Sequence, residues 1–373
     1  MLASLTFITL TKCPTMGFSR KCFSCTSLLL LLLLHLLVTL FPVCHGQLVP
    51  GFFIFGDSVV DVGNNNNLYT LVKANFPPYG RDYTSHSPTG RFCNGKLATD
   101  FTAENLGFTS YPPAYLSAEA KGKHLFKGAN FASGASGYFD GTAQLYRAIS
   151  LTQQLQYYKE YQGKLVKIAG QAKATSIISG SIYLISAGSS DFVQNYYINP
   201  ALYQTYTPDQ FSAELQKNVY TFIQNLYGLG ARRIGVTSLP PIGCLPAAIT
   251  LFGSGNNQCV DRMNQDAVSF NSKLKNTVDG LQKKFSGLKM VTFDIYQPLL
   301  DLVSKPSEHG FFETRKACCG TGTIETSLLC NARTAGTCSN ATGYVFWDGF
   351  HPSEAANKIL ADDLLTQGID LIG

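Results

Sequence analysis

Short apolar runs alternate along the chain with longer stretches in which apolar residues recur every three or four positions. Gly51–Gly56 (GFFIFG), Ser181–Gly188 (SIYLISAG), Arg233–Ser238 (RIGVTS) and Lys289–Ile295 (KMVTFDI) are rich in aromatic and branched residues, and each predicts a strand. Gly128–Ala132 is a weaker candidate for another strand. Helical patterns fill the intervals at Gly95–Leu106, Leu151–Ile168, Pro208–Tyr227, Val260–Phe285 and Ser353–Leu365. Buried strands alternating with longer helices predict an α/β fold, a mostly parallel sheet covered on both faces. Ligands of such sheets bind beyond the carboxyl ends of the strands, so residues just after those ends rank first for chemistry.

One apolar run does not fit this pattern. Leu28–Val43 follows Lys12, Arg20 and Lys21, and no Asp or Glu precedes Asp57. Its 16 residues would span about 24 Å as a helix, short of the roughly 30 Å hydrocarbon core, and His35 and Pro42 interrupt it. Small residues at Cys44 and Gly46 suit cleavage before Gln47. Residues 1–46 therefore read as a removable signal peptide, and 47–373 as a single secreted domain with no stable membrane anchor. A retained anchor is the competing reading, and Met16 competes with Met1 as the true start.

Composition then narrows the class. With 45% hydrophobic and 14% charged residues, the 373-residue chain is not an intrinsically disordered one. Losing Lys12, Arg20 and Lys21 with the leader takes the formal charge from +5 to about +2, with no basic arm to favour nucleic acid. The same cleavage removes four of the 11 cysteines. Of those left, Cys244 and Cys259 flank one loop and are expected to pair. Cys318, Cys319, Cys330 and Cys338 would form two bridges of open connectivity, leaving Cys93 free. Asn340-Ala341-Thr342 is a glycosylation sequon at Asn340. HExxH, Walker A and Gly-x-Gly-x-x-Gly patterns are absent, which argues against a zincin, a P-loop enzyme and a Rossmann dehydrogenase.

Candidate chemistry gathers at the strand ends. The first strand runs into Gly56-Asp57-Ser58, an exposed turn of the kind a nucleophilic serine needs, although Asp and Ser are also ordinary turn residues. Four histidines remain after cleavage: His86 and His124 sit in polar surroundings, and His309 at a turn. Only His351 has a carboxylate close behind it, Asp348, which can orient an imidazole. The glycine loop Gly128–Gly137 offers backbone N–H groups around Gly134, and Gly188-Ser189-Ser190-Asp191 offers hydroxyls. Each feature alone is unremarkable turn chemistry. Together they supply nucleophile, base, orienting acid and oxyanion donors for acyl transfer. Gly-x-Ser-x-Gly is absent, which excludes an ordinary α/β-hydrolase elbow.

In order along the chain, these segments resemble the plant-type GDSL esterase/lipases of the SGNH hydrolase superfamily. The resemblance rests on Phe55-Gly56-Asp57-Ser58-Val59-Val60-Asp61-Val62-Gly63-Asn64-Asn65-Asn66 and on the segments beginning Pro77 (PPYGRDY), Thr89 (TGRFCNGK), Pro240 (PPIGCLP) and Ala317 (ACCGTG). It closes on Asp348-Gly349-Phe350-His351-Pro352-Ser353-Glu354. It implies a three-layer, flavodoxin-like α/β/α sandwich that hydrolyses small or polymeric carboxylic esters without cofactor or metal. It further implies Ser58 as nucleophile, His351 as base, Asp348 as its orienting partner, and the Ser58 and Gly134 N–H groups as oxyanion donors. The family's Gly-x-Asn-Asp block stands here with Ser190 in place of Asn, a shorter donor that predicts a slowed esterase. An acyltransferase using the same acyl-serine, or a secreted ester-binding protein weakened by Ser190, are the alternatives. Extracellular location, with the cell-wall space as a fitting place, follows from the leader and the cysteines.

Overall fold

Four of the apolar runs become strands: β1 (Phe52–Gly56), β2 (Ile182–Ser186), β3 (Arg233–Thr237) and β4 (Lys289–Phe293). The structure, a computed structural model, describes residues 46–373; the leader expected over 1–46 lies, apart from Gly46, outside the described residues. The strands pair in the order β1-β2-β3-β4, all parallel, with Phe53 opposite Tyr183 and Leu184 opposite Gly235. The helices of eight residues or more are α1 (Ala98–Asn105), α2 (Leu151–Ala169), α3 (Gln171–Gly180), α4 (Pro208–Gly228), α5 (Asp261–Lys284), α6 (Tyr296–Ser304) and α7 (Glu354–Gln367).

The weaker candidate at Gly128–Ala132 is not a full strand. It joins the β1 edge through a single parallel bridge, Ile54 with Asn130, supported by backbone hydrogen bonds from Ile54 to Ala129 and from Phe131 to Ile54. Its ladder stays short because Gly56 N, the next donor along β1, bonds to Gln154 Oε1 instead of to this segment. The edge nevertheless puts β1 between a later segment and β2. The chain order reverses there, at the position where α/β sheets bind their ligands.

Alternate residues of β1 face opposite layers, which is why the run is apolar throughout. Phe53 and Phe55 pack with Tyr158 and Tyr161 of α2 in the larger core, which α4 and α5 complete through Phe211, Leu215, Phe270 and Leu274. Phe52 and Ile54 face the other way, onto Ala103 and Leu106 from the α1 segment and Leu364 of α7. Each fully buried Phe contributes roughly 1.5–3 kcal/mol. A polar replacement on either face would disrupt one layer. The α/β/α arrangement expected from the sequence is the one observed.

Cys244–Cys259, Cys318–Cys338 and Cys319–Cys330 are disulfides, and Cys93 is a buried free thiol. The last two bridges supply the connectivity that spacing left open.

Candidate active site

The end of β1 is held by contacts that only glycine permits. Gly56 has φ +144°, and a Cβ there would lie 1.8 Å from Ser186 O. Gln154, buried in α2, clamps the same residue from both sides: Gly56 N donates to its Oε1 at 3.0 Å and its Nε2 donates to Gly56 O at 2.9 Å. Asp57 N donates to Ser186 O at 3.0 Å. The chain must therefore turn at the carboxyl edge, and Ser58 is the residue that emerges there.

Ser58 Oγ lies 2.7 Å from His351 Nε2, although 293 residues separate the two in sequence. His351 Nδ1 lies 2.7 Å from Asp348 Oδ1. Asp348 is wholly buried, and five donors surround it. Its Oδ1 accepts from His351 Nδ1 and the backbone N–H groups of Phe350 and His351; its Oδ2 accepts from Tyr79 Oη at 2.7 Å and Thr326 Oγ1 at 3.0 Å. Burial, then the charge of Asp348, pushes the Tyr79 hydroxyl well above its ordinary range, so it keeps its proton and donates. The Phe92 ring lies against the imidazole with centroids 5.1 Å apart, and His351 O accepts from Trp347 N at 2.8 Å. His86, His124 and His309 are exposed and stand apart from this cluster.

The expected oxyanion donors differ in their placement. Ser190 is buried and lines the cleft beside Ser58, Ser189 and His351. Gly134 departs from expectation: its N–H donates to Asp61 Oδ2 at 3.0 Å, and the residue is not part of the cleft lining. The cause is the Asp61 carboxylate, which also gathers the Gly63 and Asn64 N–H groups at 2.8 Å each and so draws the glycine loop onto itself. Sequence reasoning missed Tyr79, Thr326, Gln154 and this role of Asp61. Tyr79 and Asp61 fall inside segments already noted for family resemblance, which was the available signal.

Three further carboxyls are buried near the nucleophile turn. Burial pushes Asp57 up to about 7, Asp61 to about 6 and Asp191 to about 7, against an ordinary value of 3.8, and backbone donors only partly offset this. Asp191 accepts from Tyr138 N, Phe139 N and Thr142 Oγ1, fastening the far end of the glycine loop. Because the folded state holds these protons more tightly than the unfolded chain, their stabilisation is complete below the unfolded value of 3.8. It is lost as pH rises through about 6 to 7. The melting temperature is thus expected to be higher at pH 5 than at pH 8, by roughly 2–5 °C. Calorimetry on wild type and Asp57→Asn checks it; an Asp57→Asn variant with the full pH dependence would remove Asp57 from the account.

The cleft over Ser58 has a volume of about 90 Å³ and mostly aliphatic walls. Among the described residues no group of three or more His, Cys, Asp or Glu is placed to hold a metal, and no described helix is long and apolar enough to cross a membrane. A hydroxyl, an imidazole and a buried carboxylate in series, under an apolar cleft at a parallel sheet's carboxyl edge, are the parts of a carboxylic ester hydrolase. The family model described as GDSL-like Lipase/Acylhydrolase matches residues 52–364, and the chain belongs to that family. A GDSL esterase/lipase of Arabidopsis thaliana is 68% identical over 326 residues, covering 87% of this chain and 92% of the relative. The Arabidopsis thaliana GDSL esterase/lipase APG is 63% identical over 350 residues, 94% of this chain and 99% of the relative. The Arabidopsis thaliana GDSL esterase/lipase EXL3 is 42% identical over 323 residues, 87% and 88% of the two chains.

Proposed function

We propose that the protein is a secreted serine esterase/lipase working through an acyl-Ser58 intermediate. The observation that carries this reading is the unbroken chain Ser58 Oγ, His351 Nε2, His351 Nδ1, Asp348 Oδ1, with 2.7 Å at both hydrogen bonds. Ser58 Oγ bonds to the ester carbonyl carbon as its proton passes to His351 Nε2. His351 then protonates the leaving alcohol as the carbon–oxygen bond breaks. Water, deprotonated by the same nitrogen, attacks the acyl group and frees the acid and Ser58. Asp348 holds the tautomer and stabilises the imidazolium between these steps.

The oxyanion forms beside Ser58 N–H and Ser190 Oγ, which carry the hole while Asp61 retains Gly134 N–H. Secretion rests on the basic–apolar leader and on three disulfides, which belong to an oxidising route. Asn340 is exposed within its sequon, which supports its glycosylation.

A fluorophosphonate probe followed by peptide mass spectrometry tests the reading. Ser58 is expected to carry the label, and an ester-binding protein without catalysis would leave it unmodified. Ser190→Asn is expected to raise kcat about tenfold by restoring a longer donor. Unchanged or lower turnover in that variant would discard Ser190 as the weak point of the hole.

A further inference from the structure

A second apolar cavity, about 30 Å³, lies deeper in the layer between the sheet and helices α1 and α7. Four chain elements line both it and the active-site cleft, and each passes from one to the other in the same direction. On β2, Ser186 borders the cleft, Leu184 borders both cavities and Ile182 the deeper one; residues two apart share one face of a strand. After β4, Ile295 borders the cleft and Phe293 the deeper cavity, again two apart. On the α1 segment, Thr99 borders the cleft while Thr102 and Leu106, farther along the same helical stripe, border the deeper cavity. On α7 the stripe reads Leu360 in the cleft, Leu364 in both and Gly368 in the deeper cavity. The two cavities thus lie in line, with Leu184 and Leu364 standing between them as the residues that border both.

From the cleft beside Ser58 this line runs back along β2 from Ser186 to Ile182, four strand steps or about 13 Å at ~3.3 Å each. Thr102 offers it no free polar group, because its hydroxyl donates to Ala98 O at 2.9 Å. The exposed wall of this space is mainly apolar, with Thr99, Ser186 and Asn357 confined to the cleft end, so its far length matches a linear hydrocarbon chain better than a polar sugar acid.

We infer that this path binds the acyl chain of the substrate, with Leu364 and Leu184 setting its length, so that the preferred esters are those of medium-chain aliphatic acids. The inference rests on the acyl-Ser58 reading, and the test separates the two. p-Nitrophenyl acetate, butyrate, octanoate and palmitate are assayed with the wild-type full chain and with Ser58→Ala, Leu364→Trp, Leu364→Ala and Leu106→Trp. In wild type, kcat/KM is expected to rise more than tenfold from acetate to octanoate, because each buried methylene adds favourable transfer energy. Leu364→Trp blocks the way between the two cavities and should lower the octanoate-to-acetate ratio at least tenfold. Leu364→Ala opens it and should move the optimum toward palmitate. Leu106→Trp fills only the deeper cavity, and serves if the Leu364 variants do not fold. A flat wild-type profile, or equal losses on acetate and octanoate in the blocked variants, would overturn the acyl path while Ser58-dependent turnover kept the hydrolase reading. Turnover of every ester independent of Ser58 would overturn both.

Discussion

Ser58→Ala is expected to lower kcat/KM on a soluble ester by about 10⁴-fold or more while leaving the melting temperature within a few degrees of wild type. The asymmetry follows from the site. Ser58 Oγ makes one hydrogen bond to a side chain, to His351 Nε2, and alanine removes a single oxygen from a residue already held by its neighbours. Gly56 and Asp57 keep their bonds to Gln154 and Ser186, so the turn survives. What vanishes is the oxygen that, in the proposed mechanism, bonds to the carbonyl carbon while its proton moves to the imidazole. Residual turnover comes from binding and oxyanion donors, which act without the nucleophile. Activity above a tenth of wild type in a folded Ser58→Ala protein would refute Ser58 as nucleophile.

Asp348→Asn should be nearly as severe, lowering kcat by about 10⁴-fold. The carboxylate accepts from five donors: two backbone N–H groups, His351 Nδ1, Tyr79 Oη and Thr326 Oγ1. Asparagine offers one accepting oxygen and one donating NH₂. Turned one way, the amide faces Nδ1 with a donor, which selects the tautomer whose Nε2 carries the proton and cannot take another from Ser58. Turned the other way, it confronts the Tyr79 and Thr326 hydroxyls instead, and the buried imidazolium of the transition state still lacks a counter-charge. Tyr79→Phe removes one hydrogen bond to a charged group and should cost about tenfold. Steady-state kinetics on both variants, with calorimetry to confirm folding, checks the ranking. Asp348→Asn no slower than Tyr79→Phe would assign Asp348 to structure alone.

The catalytic candidates were legible because their signals are local. Asp348 and His351 are three residues apart, and Ser58 follows an apolar run that could only be a buried strand. The helices carrying sustained periodicity were legible too. α3 and α6 were not, being short segments beside stronger elements. Tyr79 and Asp348 are 269 residues apart, and Gln154 and Gly56 are 98 apart. No local pattern connects such pairs; only the packed sheet does. Gly134 illustrates the converse limit. Its loop reads as a set of free N–H donors, yet a carboxylate from another loop claims the one that mattered. Hydrogen-bond competition of this kind is decided in three dimensions.

The two bridges Cys318–Cys338 and Cys319–Cys330 enclose the stretch that delivers Thr326 to Asp348 and Ser327 N to Tyr79 Oη. Cys318 N and Cys319 N also donate to Phe346 O and Trp347 O, on the strip of chain that leads into Asp348. Each bridge holds this stretch by about 2–4 kcal/mol relative to the reduced chain. A polypeptide with both bridges reduced would keep the Ser58, His351 and Asp348 side chains but lose the tether that holds Thr326 on Asp348 and Ser327 N on Tyr79. Hydrolytic competence is therefore tied to the oxidised state of these two bridges.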